Sequence, residues 1–130
     1  MTPISIGEIH VSGGSGLASA RSLTLTSPLQ NEAGLELFFA ILAADAPKRV
    51  LEKLCGRLGE DLRAVFFQKG DPETRFEAAL KQANKSILAF LYEHGLSLPG
   101  IKLRGAAAAI SGGKLFVSSR GMMRGYLYVP

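Results

Sequence analysis

"AAAAISGGKLFVSS", Ala106 to Ser119, admits two readings, and the choice between them sets the fold class. Alanine has the highest helix propensity of any residue, yet Gly105 precedes the four alanines and Ser111-Gly112-Gly113-Lys114 follows them. A two-glycine step between apolar runs suits the positive-φ turn that joins antiparallel strands. The stretch therefore reads as a hairpin, Ala106–Ile110 against Leu115–Ser119 across Gly112-Gly113. "GYLYV", Gly125 to Val129, supplies one more strand.

Upstream, the pattern changes period. Asp71 offers an N-cap, with Pro72 and Glu73 in the first turn. Phe76, Ala79, Leu80, Ala83, Ile87, Phe90 and Leu91 form a helical stripe that Gly95 can end at the C′ position. Before it, Asp45 offers a cap and Pro47 a first-turn residue. Leu51, Leu54, Cys55, Leu58, Leu62, Val65 and Phe66 then repeat at the same spacing. Two amphipathic helices joined by a short link are expected to pack antiparallel. "LSLPGIKLRG", Leu96 to Gly105, reads as their connection to the hairpin.

The N-terminal part reads as strands. Ile4, Ile6, Ile9 and Val11 nearly alternate, with a phase slip at Gly7-Glu8 that predicts a bulge. "RSLTLT", Arg21 to Thr26, alternates through Leu23 and Leu25 as a half-buried strand does. "SPLQNEAG", Ser27 to Gly34, is a loop by its Pro, Asn and Gly. "LELFFAILAA", Leu35 to Ala44, is a continuous apolar run, the pattern of a strand covered on both faces. The order β-β-β-α-α-β-β-β predicts an α+β fold, antiparallel strands with a helix pair lying on them.

Composition sets the outer limits. With 130 residues, 47% apolar and 20% charged, residues 1–130 read as one globular domain able to bury a core. The net charge of +4 is scattered rather than striped, which argues against nucleic acid. One cysteine, Cys55, excludes an internal disulfide and fits a reducing, cytoplasmic setting. No signal-peptide pattern opens the sequence, and the longest apolar run is about half of the ~20 residues that span a bilayer. The last residues are strand-like to the end, which raises the expectation of a chain continuing beyond Pro130.

From Glu77 to Val129 the sequence resembles the metal-dependent protein phosphatase family, type 2C. "EAALKQANKSILAFL" resembles that family's helix carrying AL, AN and I at fixed spacing. Gly105 stands where a glycine precedes the family's next strand. Leu115, Phe116, Val117, Gly121, Arg124, Tyr126 and Leu127 follow its "LYVANVGDSRAYL" segment in register. Further upstream, "LFFAILAADAP" stands where the family runs from an apolar strand into its "DGMGG". The resemblance implies part of an α-β-β-α sandwich, with this chain giving one helix pair and the first strands of both sheets. It also implies two manganese or magnesium ions, held by aspartates, that activate water against phosphoserine or phosphothreonine.

The departures from that pattern point away from catalysis. The family's metal-binding aspartate falls on Leu42, Ala43 or Ala44, with Asp45 one or two residues late. "SLTLT" has no acid where an acidic motif belongs, and "GDS" has become Gly121-Met122-Met123. Two thioethers in a strand reversal lack the local backbone bonding that Asn, Asp or Ser provides there; apolar contact with another element or a partner would explain them. Arg21 stands near the family's phosphate-binding arginine, and Arg124 near the arginine that organises the turn. Arg21, Asp45, Gly121, Met122, Met123 and Arg124 are thus the candidates for a vestigial or interaction site.

Other signals are weaker. Gly13-Gly14-x-Gly16 lacks the Lys-Ser/Thr of a phosphate loop. His10 and His94 have no acid or nucleophile beside them in the pattern. Cys55 lies on an apolar stripe as a small hydrophobe. Glu32, Glu36, Asp45 and Asp71 are the acids nearest element ends, and Asp45 and Asp71 are accounted for as caps. The expectation is a non-catalytic phosphatase-like module, without a cofactor, that binds a protein partner or pairs as a homodimer to complete open sheet edges. The alternative is an active manganese- or magnesium-dependent phosphatase whose ligands lie elsewhere.

Overall fold

The computed structural model describes residues 19–26, 36–111 and 114–120. Strands β1 (Ser19–Thr26) and β2 (Leu37–Ala44) come first, followed by helices α1 (Lys48–Phe66) and α2 (Pro72–Glu93). A one-turn helix α3 (Leu98–Ile101) precedes strands β3 (Arg104–Ser111) and β4 (Lys114–Arg120). The strands form one antiparallel sheet in the order β1-β2-β3-β4, and both long helices cover one of its faces. The fold is α+β, a two-layer sandwich of helices on a sheet, as the period change in the sequence predicts.

The Ala106–Ser119 hairpin is present, with Ile110 opposite Leu115 and Ala108 opposite Val117. Two of its alanines give the helix pair a close, flat bed. Ala107 and Ala109 lie beneath the helices, and Ala109 has no exposed surface. β2 is central, between β1 and β3, with Phe39 opposite both Thr24 and Ala108. Phe38, Ala40, Leu42 and Ala44 join Leu23, Leu25 and Phe116 in the core under the helices. Leu51, Leu54, Leu58, Leu62 and Phe66 meet them from α1, and Phe76, Ala79, Phe90 and Leu91 from α2. Val65 is only half-buried, at the margin of the α1 stripe.

The helix ends follow local chemistry. Asp71 caps α2, its carboxylate accepting from Thr74 N–H at 3.2 Å. Gly95, at φ 66°, closes it: its N–H bonds the Tyr92 carbonyl, and Leu96 N–H bonds that of Leu91 at 2.8 Å. Asp45, however, does not cap α1. That helix starts at Lys48 with Pro47 in the cap position and no side-chain cap bond. Asp45 instead extends the β2 path, its N–H donating to Ile101 O at 2.6 Å. The connection after α2 holds α3, capped by Ser97, whose hydroxyl accepts from Gly100 N–H at 3.1 Å. The described strands belong to one sheet, not to the first strands of two. The expected strands at Ile4–Val11 and Gly125–Val129 lie outside the described residues.

Gly105 has a packing role that its sequence context leaves open. A Cβ there would stand 2.9 Å from Leu42 Cδ2 and 3.5 Å from the Ile41 carbonyl. Leu42 is itself in the core, so it has little room to withdraw. Gly105→Ala is expected to destabilise the fold by about 1–3 kcal/mol, read by chemical denaturation. Gly59→Ala should be close to neutral. Its Cβ would meet Leu23 Cδ1 at 3.3 Å, but alanine's helix preference is worth about 1 kcal/mol in compensation.

Candidate functional site

Three places concentrate chemistry. The first is a buried ion pair at one end of the sheet. Glu36 precedes β2, and Arg75 sits in the first turn of α2; both are at least nine-tenths buried. The Arg75 guanidinium donates to Glu36 Oε2 at 2.7 Å and Oε1 at 3.3 Å, a two-pronged pairing. It also donates to Ser111 Oγ at 3.0 Å and to the Phe66 carbonyl at 3.0 Å. That carbonyl is one of those left over at the end of α1. Phe66 also stacks near the guanidinium, with 5.6 Å from Cζ to the ring centroid. One side chain thus joins β2, β3, α1 and α2. Arg75 Nε is buried without a hydrogen-bond partner. Among the described residues Glu36 is the buried carboxylate, and both its oxygens are engaged by Arg75, so it ties β2 to α2.

The second place is the seam between the helices. Ser86 Oγ donates to Asp61 Oδ2 at 2.6 Å, and Gln82 Nε2 donates to Ser86 at 3.1 Å. One turn away, Arg57 pairs with Glu93 at 2.7 Å. These contacts fix the antiparallel register. The Arg57 pair is partly exposed and contributes little, about 0–1 kcal/mol by comparison with other such pairs. Arg21, the candidate phosphate ligand, reaches from β1 to Glu52 on α1 at 3.2 Å, also at the surface. Asp45 is exposed beyond the end of β2. Gly121, Met122, Met123 and Arg124 lie outside the described residues. The positions aligned with the metal-binding aspartate hold aliphatic groups: Leu42 and Ala44 are packed under the helices, and Ala43 is buried on the opposite face.

Cys55 behaves as its place on the stripe implies. It is a free, buried thiol, and burial pushes its pKa from 9.0 up to about 11, with Arg21 pulling weakly the other way. At pH 8 the native thiolate fraction is therefore about 100-fold below that of the unfolded chain, and alkylation should slow at least in proportion. The sign for stability follows from linkage. Between pH 9 and about 11 the unfolded chain releases the thiol proton and the folded chain keeps it, so this stabilising contribution falls as pH rises.

The third place is the sheet face turned away from the helices. Successive strand residues point to opposite faces, so this face carries Leu37, Phe39, Ile41 and Ala43 of β2. Beside them stand Ala106, Ala108 and Ile110 of β3, with Leu115 and Val117 of β4. None of these belongs to the core beneath the helices. Leu115 and Val117 are 48% and 64% exposed. The β1 side of the face is polar, through Ser22, Thr24 and Thr26. A sheet with one solvated face shows apolar-in, polar-out alternation; β1 obeys this and β2 does not. The continuous apolar run of the sequence thus places apolar side chains on both faces of β2, with Leu37 and Ala43 buried and Phe39 and Ile41 half-buried on the outer one.

Among the described residues no three His, Cys, Asp or Glu side chains gather as a metal ion requires. None of the described helices is long and apolar enough to cross a membrane. No family model, curated protein or solved structure matches the chain.

Proposed function

We propose that this chain is a non-catalytic interaction module whose working surface is the apolar outer face of the sheet. The observation that carries the proposal is the pairing of Phe39, Ala108 and Val117 in one row on that face, with Val117 64% exposed. Apolar side chains run through the middle of the face, from Phe39 to Ala108 to the exposed Val117, the composition of a protein contact's centre. The buried polar groups support the same reading, since Glu36 and Ser111 are each bonded to Arg75. The resemblance to type 2C phosphatases is part of the proposal and rests on the motifs from Glu77 to Val129. Aliphatic groups at Leu42, Ala43 and Ala44 make the chain a silent relative within it. A buried free thiol suits a reducing compartment, which we take to be the cytoplasm.

The test has two arms. Titration calorimetry with manganese, run beside a phosphopeptide hydrolysis assay, is expected to give no metal-dependent turnover. Two tight sites with manganese-dependent hydrolysis would establish the active phosphatase instead. An environment-sensitive apolar dye should bind the dilute chain, and Val117→Asp should remove most of that signal without changing the helical circular dichroism. Dye binding indifferent to Val117→Asp would place the contact surface elsewhere.

A further inference from the structure

Cations that look scattered along the sequence are gathered by the fold. Ala43 of β2 pairs with Arg104 at the start of β3, and just past that row Asp45 N–H donates to Ile101 O. α1 begins at Lys48, soon after β2 ends at Ala44. Lys48 and Arg49 therefore lie at the same end of the sheet as Lys102 and Arg104, although the two pairs are far apart in the chain. Lys48, Arg49 and Lys102 are exposed, and Arg104 is half-buried. Among the described residues Asp45 and Glu52 are the carboxylates at this end, and Glu52 is held by Arg21 at 3.2 Å. That sets one carboxylate against four cations, none of which is in an ion pair with a described carboxylate.

Local structure gives no reason for these cations. A helix start favours acids, because the aligned peptide dipoles leave positive charge there. α1 nevertheless has no acid in its first turn and no side-chain cap, and Lys48 and Arg49 are its first two residues. Lys102 is the non-glycine residue with positive φ among the described residues, at 50°. It ends α3 in a conformation that glycine adopts without strain and lysine does not. Cations kept where they cost local stability mark a functional surface. We propose that this end of the molecule docks an acidic segment of a partner protein, its carboxylates pairing with Lys48, Arg49, Lys102 and Arg104. The surface is distinct from the outer face of the sheet and does not depend on it. A compact cap of four charges suits a short acidic segment. A duplex nucleic acid, with one charge about every 1.7 Å of its axis, calls for a longer run of cations.

Fluorescence anisotropy of a labelled, short polyglutamate peptide mixed with the full chain tests the inference. The peptide should bind at about 20 mM salt and lose at least about tenfold in affinity at about 200 mM. Lys48→Glu with Arg49→Glu, and Lys102→Glu with Arg104→Glu, should each weaken binding at least about tenfold, with the circular dichroism spectrum of the parent. Lys81→Glu with Lys85→Glu, on exposed sites of α2, changes the net charge equally and should leave affinity within about twofold. Lys102→Gly separates binding from folding: it relieves the positive φ, so Tm should hold or rise while the peptide binds at least about twofold more weakly. A single-stranded oligonucleotide and phosphatidylserine vesicles, run in parallel, should bind more weakly than the peptide. A peptide that does not bind, an equal loss in the α2 variant, or tighter binding of the oligonucleotide or the vesicles would overturn the inference.

Discussion

Arg75→Met is expected to lower stability by about 3–5 kcal/mol, as large an effect as truncating a core phenylalanine. The change leaves the Glu36 carboxylate at the end of β2 with neither a cation nor water, and it also strips donors from Ser111 and the Phe66 carbonyl. For a chain of this length the loss corresponds to a fall in Tm of roughly 10–20 °C. The magnitude comes from desolvation and not from the pair's attraction, which its burial cost largely offsets. It follows that Glu36→Leu combined with Arg75→Met should recover much of the loss, because an apolar pair in that space has nothing to desolvate. The exposed pair provides the contrast: Glu93→Gln, which breaks the contact to Arg57, should change stability by no more than about 1 kcal/mol. Denaturant midpoints for the four proteins decide the matter. A double variant as unstable as Arg75→Met would mean that the damage lies in packing rather than in an orphaned charge.

Phe38→Ala is expected to cost about 3–5 kcal/mol, and Phe39→Ala, one residue along, less than about 1.5 kcal/mol when measured on dilute protein. Phe38 is 1% exposed, and its ring lies 5.4 Å from that of Phe66 and 6.1 Å from that of Phe76. Truncation there opens a cavity where β2 meets both helices. Phe39 points the other way, is only half-buried, and touches none of that core. Equal costs for the two would show that both faces of β2 are equally filled within one chain, and the outer face could not then serve as a contact surface.

How much of this was legible in the sequence depends on the residue type. Apolar periodicity located both long helices, and the glycine pair set the hairpin register, since backbone geometry leaves those signals few alternatives. The buried polar centre was missed because Arg75 interrupts the apolar stripe. Its signal was nevertheless present: Arg75 lies four residues before Ala79, on the buried side of α2, and Glu36 is the acid inside the longest apolar run. An acid in such a run needs a buried cation. Ser86 was overlooked for the same reason, its hydroxyl being taken up by Asp61. Asp45 was misread as a cap because Asp before Pro is common at helix starts, while its N–H was needed by Ile101 two elements later. A bond of that range leaves no local trace. α3 left a faint one, Ser97 with Pro99 in the first turn. Arg21 and Asp45 do not build a shared centre: one is bound to Glu52, and the other stands at the surface.

Hydroxyl-radical footprinting of the dilute chain tests most directly whether the sheet keeps one face for the fold and one for contact. Leu115 and Val117 are expected to be oxidised rapidly, and Phe38, Leu54 and Phe66, at 1% exposure or less, to resist until the chain unfolds. Leu115 and Val117 as resistant as Phe38 in the dilute monomer would contradict the account.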